Sequence, residues 1–216
     1  MLSKNKIKYI HSLELKKTRK EEQVFLAEGP KLTGDLLGHF PCRFLAATSS
    51  WLQAHPDIQA NEIAEVSQEE LSRASLLKTP QQVLAVFEQP QYTLSPDFVR
   101  QSLCLALDDI QDPGNLGTIL RTADALDIPV TLLEGCADPY SPKTVRASMG
   151  AVFRTQPVKA DWAEVKAACA EAQIPVAVTA LSRRAKDLRN ADLRGMAVVI
   201  GSEGQGVRRE ILESAD

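Results

Sequence analysis

Residues 103–126, LCLALDDIQDPGNLGTILRTADAL, decide the fold of this chain. Leu103, Cys104, Leu105, Ala106 and Leu107 form a short apolar run of the kind that a parallel sheet buries on both faces. Asp108 through Gly114 stop the run with turn chemistry, because Pro113 fixes its own φ and Gly114 frees the next backbone position. From there Leu116, Ile119, Leu120, Ala123 and Leu126 fall on one helical face. Asn115 is therefore expected as N-cap or first-turn residue, with Arg121 less than two turns into the helix. Strand, loop and helix in unbroken succession set an amide, a glycine-bearing backbone and a guanidinium at the carboxyl end of a strand, where open α/β sheets bind their ligands.

The alternation continues on both sides. Downstream, strands are expected at 130–133, 152–155, 176–180 and 196–200. Helices are expected at 141–150, opened by Ser141 as cap and Pro142 in the first turn, and at 161–173, where Asp161 and Glu164 have capping-box spacing. A polar connection, 182–195, separates the last two strands, and GSEGQG at 201–206 leads into a helical start at Val207. Upstream, residues 4–20 read as one basic helix with Ile7, Ile10, Leu13 and Leu15 along a stripe. Strands at 24–27, 43–47 and 82–87 then alternate with helices at 30–37, around Trp51 with Ser49 as its cap, and at 68–73. The Pro-bearing polar stretch EQPQYTLSPD at 88–97 marks a boundary. The expected architecture is α/β throughout: a small domain over 1–90, a linker over 91–99 and a parallel-sheet domain over 100–216.

At 216 residues and 44% hydrophobic, the chain can bury a real core. Its formal net charge of -3 argues against a protein that coats nucleic acid along its whole surface, but the charge is uneven. Lys and Arg crowd the first twenty residues, acids fill 57–70, and 143–159 holds Lys143, Arg146, Arg154 and Lys159 with no acid. An anionic partner would meet basic patches on a mildly acidic protein, the alternative being a solvated surface. Cys42, Cys104, Cys136 and Cys169 lie far apart without a CxxC pair, and read as buried, reduced thiols rather than metal ligands. No apolar run approaches membrane-spanning length, and the basic N-terminus lacks a following hydrophobic segment, so the expectation is a cytoplasmic protein.

Two loops follow buried strands, DDIQDPGNLG and GSEGQG. Glycines there let backbone groups approach a ligand that a Cβ would obstruct. Either loop alone also reads as a tight turn; two at equivalent strand ends point to a shared site. GSEGQG is not a phosphate-binding Walker sequence, since no Gly-Lys-Ser/Thr follows. Asp108 and Asp109 lack a His or Glu at ligand spacing, so they are expected to end the strand and hold the loop by hydrogen bonds, with no metal site. A Ser/His/Asp triad fails because all three histidines precede residue 56.

DPGNLGTILRTADAL resembles the first signature of the SpoU (TrmH-like) family of SPOUT RNA methyltransferases. VVIGSEGQGV resembles its second, KTVRASMGAVFR the segment between them, and FLAEGPKLTGDLL the start of the RNA substrate-binding domain of many members. The resemblance implies S-adenosylmethionine as cofactor and methyl transfer to a ribose 2′-hydroxyl of rRNA or tRNA, rRNA favoured, by a homodimer with a C-terminal trefoil knot. It implies a catalytic set of Asn115, Arg121 and Glu203. Ile200, Gly201, Glu203 and Gly204 would face the cofactor, and Lys143, Arg146 and Arg154 would meet RNA phosphates. Because a guanidinium stays protonated, Arg121 suits fixing a phosphate and the hydroxyl better than taking a proton. Family members continue into a third, Ser-Leu-Asn-containing segment that closes the cofactor pocket and threads the knot. The sequence to Asp216 does not contain it, so part of that pocket is expected to be missing. The competing readings are a non-catalytic RNA-binding homologue and a base-nitrogen methyltransferase.

Overall fold

A computed structural model gives the structure of residues 2–100, 103–182 and 185–215. The basic N-terminal segment folds as two helices, α1 (Lys4–Ser12) and α2 (Lys16–Glu22), not as the single helix its stripe suggests. Leu13 is fully buried at the break. The almost wholly buried Arg19 reaches back from α2 to donate to the Leu13 and Glu14 carbonyls at 2.8 and 2.7 Å. Those carbonyls lie in the break between α1 and α2, so the arginine is a brace for it. Leu15, expected on the apolar stripe, is left 61% exposed.

Beyond α2 come β1 (Val24–Glu28), α3 (Pro30–Leu36), β2 (Cys42–Ala47), α4 (Ser49–Ala54), β3 (Ile63–Glu65), α5 (Gln68–Ala74) and β4 (Val83–Glu88). The strands form a sheet in the order β1-β4-β2-β3, antiparallel except for the parallel β2/β3 pair. The cap of α4 is Thr48 rather than Ser49, and a Ser67–Glu70 capping box opens α5. Ile10, Leu13, Leu26, Phe44, Leu71 and Val86 build one core, and Phe25 stacks on Phe87 at 5.5 Å.

The chain divides into two compact units, Met1–Pro90 with Tyr140–Val145, and Gln91–Pro139 with Arg146–Asp216. The stretch expected as linker is not all linker. Ser95 caps, and Pro96 starts, a helical turn, α6 (Pro96–Val99), whose Val99 is buried in the core of the second unit.

The rest of the chain follows as β5 (Leu103–Leu107), α7 (Pro113–Ala125), β6 (Val130–Leu132), α8 (Pro142–Ala147), α9 (Ala151–Thr155), β7 (Val158–Lys159), α10 (Trp162–Ala172), β8 (Val176–Val178), β9 (Met196–Ile200) and α11 (Arg209–Glu213). A short 3₁₀ turn, Leu188–Asn190, sits in the polar connection, of which Arg183 and Arg184 lie outside the described residues. All five strands are parallel, in the order β7-β6-β5-β9-β8. The run expected as a strand at 152–155 is instead the helical turn α9. Gly150 and Gln156, both left-handed, bracket it, and Ala151, Val152 and Phe153 are all buried. An apolar run buried on every side has no periodicity to separate strand from helix.

The sheet runs outward from β5 in both directions, so β5 and β9 flank the point where the strand order reverses. Their register is continuous from Leu103 opposite Met196 to Leu107 opposite Ile200. Open parallel sheets bind ligands outside the carboxyl ends of such a strand pair. No helix among the described residues is long and apolar enough to cross a membrane.

Candidate active site

A cleft of about 540 Å³ lies at that point. One wall comes from the loop after β5 and the first turns of α7: Asp109, Ile110, Gln111, Asp112, Asn115, Thr118 and Ile119. The other is the loop after β9, Ile200 to Gln205. Asp112 takes the N-cap, so Asn115 falls in the first turn, one of the two places expected for it. The Asp112 carboxylate accepts from the Gly114 and Asn115 N–H groups at 2.7 and 2.9 Å, with Pro113 as first helical residue. Asn115 is thus held in the first turn by its backbone, leaving its side chain exposed and without a hydrogen bond among the described residues.

The second wall is a closed loop. Ser202 N–H donates to the Gly206 carbonyl at 3.1 Å, and Gly206 N–H returns a bond to the Ser202 carbonyl at 2.9 Å. Gly201 sits where the loop's ends meet; a Cβ there would lie 2.1 Å from the Gly206 carbonyl carbon. Gly206 has φ +71°, open to glycine at little expense. Ile200, Gly201, Glu203 and Gly204, the residues expected to face the cofactor, all line the cleft with Asn115.

Arg121 does not line it. It is exposed on α7, with no hydrogen bond or ion pair among the described residues. Lys143 and Arg146 are exposed on α8, Arg146 also without a partner among the described residues. Arg154 is engaged: its Nε and Nη2 hold the Asp124 carboxylate at 3.0 and 2.6 Å. The charges lining the cleft are acidic, Asp109, Asp112 and Glu203, and no Lys or Arg is among its described lining residues.

Asp108 ends β5 and holds a loop, as expected, but the partner is far along the chain. Fully buried, it accepts from the Arg208 backbone N–H at 2.8 Å and from Arg208 Nε at 2.7 Å. Partial burial on its own would lower the Arg208 pKa, but the hydrogen bond and charge of Asp108, with Glu210 and Glu134 nearby, carry it above its ordinary value. Cys42, Cys104 and Cys169 are buried, whereas Cys136 is only half-buried; desolvation pushes Cys42 up to about 11, and desolvation followed by the neighbouring Cys169 pushes Cys104 up to about 12.

Sequence reading did not single out Asp109, Ile110, Gln111, Asp112, Thr118, Ile119, Ser202 and Gln205 as cleft residues. Asp112 had a readable signal, an N-cap type directly before proline. Thr118 and Ile119 follow from Asn115 by helical spacing.

The SpoU rRNA Methylase family matches residues 102–216, and an MRM3-like substrate binding domain matches residues 4–85. A TrmH-family protein from Porphyromonas gingivalis superposes with a TM-score of 0.89 at 39% identity, over 100% of this chain and 87% of that one. An AdoMet-bound rRNA methyltransferase from Sinorhizobium meliloti does so with a TM-score of 0.87 at 30% identity, over 100% of this chain and 84% of that one. The 23S rRNA (guanosine(2553)-2′-O)-methyltransferase RlmP of Bacillus subtilis is 29% identical over 98% of this chain and 84% of its own length. Human mitochondrial rRNA methyltransferase 3 is 36% identical over 63% of this chain, which spans about 35% of that protein. The matched span, 102–216, includes both walls of the cleft, and the chain belongs to the SpoU rRNA methylase family.

Proposed function

We propose that the protein transfers a methyl group from S-adenosylmethionine to a ribose 2′-hydroxyl of rRNA. In this reading residues 1–90 recognise the RNA, 91–99 lead into the second part with α6 packed on its core, and 100–216 carry the reaction in a cytoplasmic homodimer with the knot of its family. The observation that carries it is the cleft at the β5/β9 reversal, where Asn115 on one wall faces the Ile200–Gln205 loop on the other. Named relatives support the substrate: RlmP is a 2′-O-methyltransferase of 23S rRNA, and the Sinorhizobium meliloti structure is an rRNA methyltransferase with AdoMet bound.

The two walls present fit the part of the cofactor that they would face. Ile110, Ile119 and Ile200 offer apolar surface for a nucleoside, Gly201 admits close backbone approach, and the acidic lining suits a cationic sulfonium. When bound, S-adenosylmethionine supplies an electrophilic methyl group. The chain must then orient a ribose hydroxyl and accept its proton as the oxygen attacks. Asn115, with a free amide, can both donate to and accept from the ribose. Glu203, exposed and without a hydrogen bond among the described residues, is an acceptor on the facing wall. Arg121, outside the cleft and unpaired among the described residues, holds the RNA phosphate beside the target ribose. Lys143 and Arg146 add phosphate contacts; Arg154 does so only by sharing its guanidinium with Asp124.

The test is methyl transfer from labelled S-adenosylmethionine to rRNA, followed by nucleoside analysis. A 2′-O-methylated nucleoside is expected, whereas a base-methylated one overturns the ribose assignment and absence of cofactor binding overturns the enzyme reading. Arg121→Ala is expected to lower kcat by roughly 100-fold while cofactor affinity is unchanged, the scale of losing one charge-stabilising donor. Full activity in that variant removes Arg121 from the mechanism.

A further inference from the structure

The loop that forms the second wall of the cleft is fastened at both ends to a single residue outside the cleft. It enters at Ile200, whose carbonyl accepts from the Asp108 N–H at 2.8 Å. It leaves at Arg208, whose backbone N–H and Nε donate to the two oxygens of the Asp108 carboxylate at 2.8 and 2.7 Å. Asp108 is fully buried and does not line the cleft. The internal Ser202–Gly206 bonds close the loop on itself, so its placement against α7 depends on where these two ends are pinned.

The same arginine reaches a third loop. Arg208 Nη1 lies 3.3 Å from Glu134 Oε2, on the segment that follows β6. That segment is also tied to the first wall, because Asp109 N–H donates to the Glu134 carbonyl at 3.2 Å. Gly135 packs so close beneath Asp109 that a Cβ would lie 2.1 Å from Asp109 Oδ1. The loops after β5, β6 and β9 therefore share one set of fastenings, with Asp108 and Arg208 at its centre.

We propose that Asp108 and Arg208 are positioning residues for the methyl-transfer site: their pair fixes the Gly201–Gly206 loop at the distance from Asn115 that cofactor binding requires. The inference rests on the methyltransferase reading above. A side chain that stays clear of the ligand acts here by setting where the ligand's backbone partners stand, and displacement by about 1 Å is enough to cost a large factor in affinity or rate. Charge-assisted, two-point contact is suited to that task because it restricts direction as well as distance.

The test titrates S-adenosylmethionine calorimetrically into the full-length wild-type protein and into Asp108→Asn, Arg208→Gln and Arg208→Lys. Near-ultraviolet circular dichroism, melting and RNA affinity are measured on the same samples. Asp108→Asn and Arg208→Gln are expected to stay folded at the assay temperature, keep wild-type RNA affinity and bind cofactor at least about tenfold more weakly. Arg208→Lys, which keeps a cationic donor for Asp108 without the fork that also spans Glu134, is expected to fall between them and wild type. Should Asp108→Asn fail to fold, the two arginine variants carry the comparison. Wild-type cofactor affinity in the folded variants overturns the proposal, and so does a loss that strikes RNA and cofactor binding equally. If the wild type itself binds no S-adenosylmethionine, the methyltransferase reading is what fails.

Discussion

Gly201 shows how much a single position decides. Its missing Cβ is where the backbone of Gly206 and Val207 passes, at 2.1 to 2.3 Å from the place a methyl would occupy, and these are main-chain atoms that cannot swing aside. Gly201→Ala is therefore expected to force the cleft loop open and weaken S-adenosylmethionine binding by roughly 100-fold, measurable by calorimetry. Gly204→Ala, with open space around its Cβ position, meets no backbone and is expected to leave the loop closed. At this scale the sequence was readable where a local motif places residues together. Asn115, Ile200, Gly201, Glu203 and Gly204 were all expected at the site, and all line the cleft. The Asp108–Arg208 pair was not, since its members stand 100 residues apart and neither flanking sequence names the other. Arg121 was expected with Asn115 from its helical position, yet it stands exposed outside the lining.

At the scale of elements, α7 illustrates what local sequence specifies well. Asp112 as cap, Pro113 in the first position and the apolar face of Leu116, Leu120 and Ala123 agree with one another, and the helix forms with those residues buried. Asp112→Ala removes the acceptor for two backbone N–H groups and is expected to cost about 1 kcal/mol. For a chain of this size that lowers the melting temperature by about 2–4 °C. No shift on melting would mean that solvent satisfies those groups equally well. The elements misread from sequence share a cause. The helix breaks at Leu13, which is fully buried and braced by Arg19, and the turn at 151–155 buries Ala151, Val152 and Phe153 between left-handed Gly150 and Gln156. Periodicity reports which face of an element is buried, and has nothing to report when the whole element is.

Across the whole molecule, a formal net charge of -3 leaves general electrostatic attraction to RNA weak, so affinity has to come from discrete cations. Arg146 is exposed and has no partner among the described residues, whereas Arg154 is held by Asp124. Arg146→Ala is expected to weaken RNA binding evenly across sequences and to reduce the slope of log K against log salt by about 1. Arg154→Ala should change that slope less. Equal slopes for Arg146→Ala and wild type would remove Arg146 from the interface. The alternating α/β order and the parallel character of the second sheet were legible in the sequence. The order β7-β6-β5-β9-β8 was not, because strand adjacency across the reversal is settled by packing between distant segments.

That adjacency has a consequence in time. The cleft needs β5 and β9 side by side, and the chain between Leu107 and Met196 must be gathered in before they can pair. Closing so long a segment is entropically slow, and contacts of high sequence separation form late in folding. The two walls meet only once β9 and the loop after it have joined the sheet beside β5, so a chain in which they have not paired holds no such cleft. Occupancy by the cofactor then reports that the β5/β9 pair has formed, and a ligand that binds only the native chain draws the population further toward it.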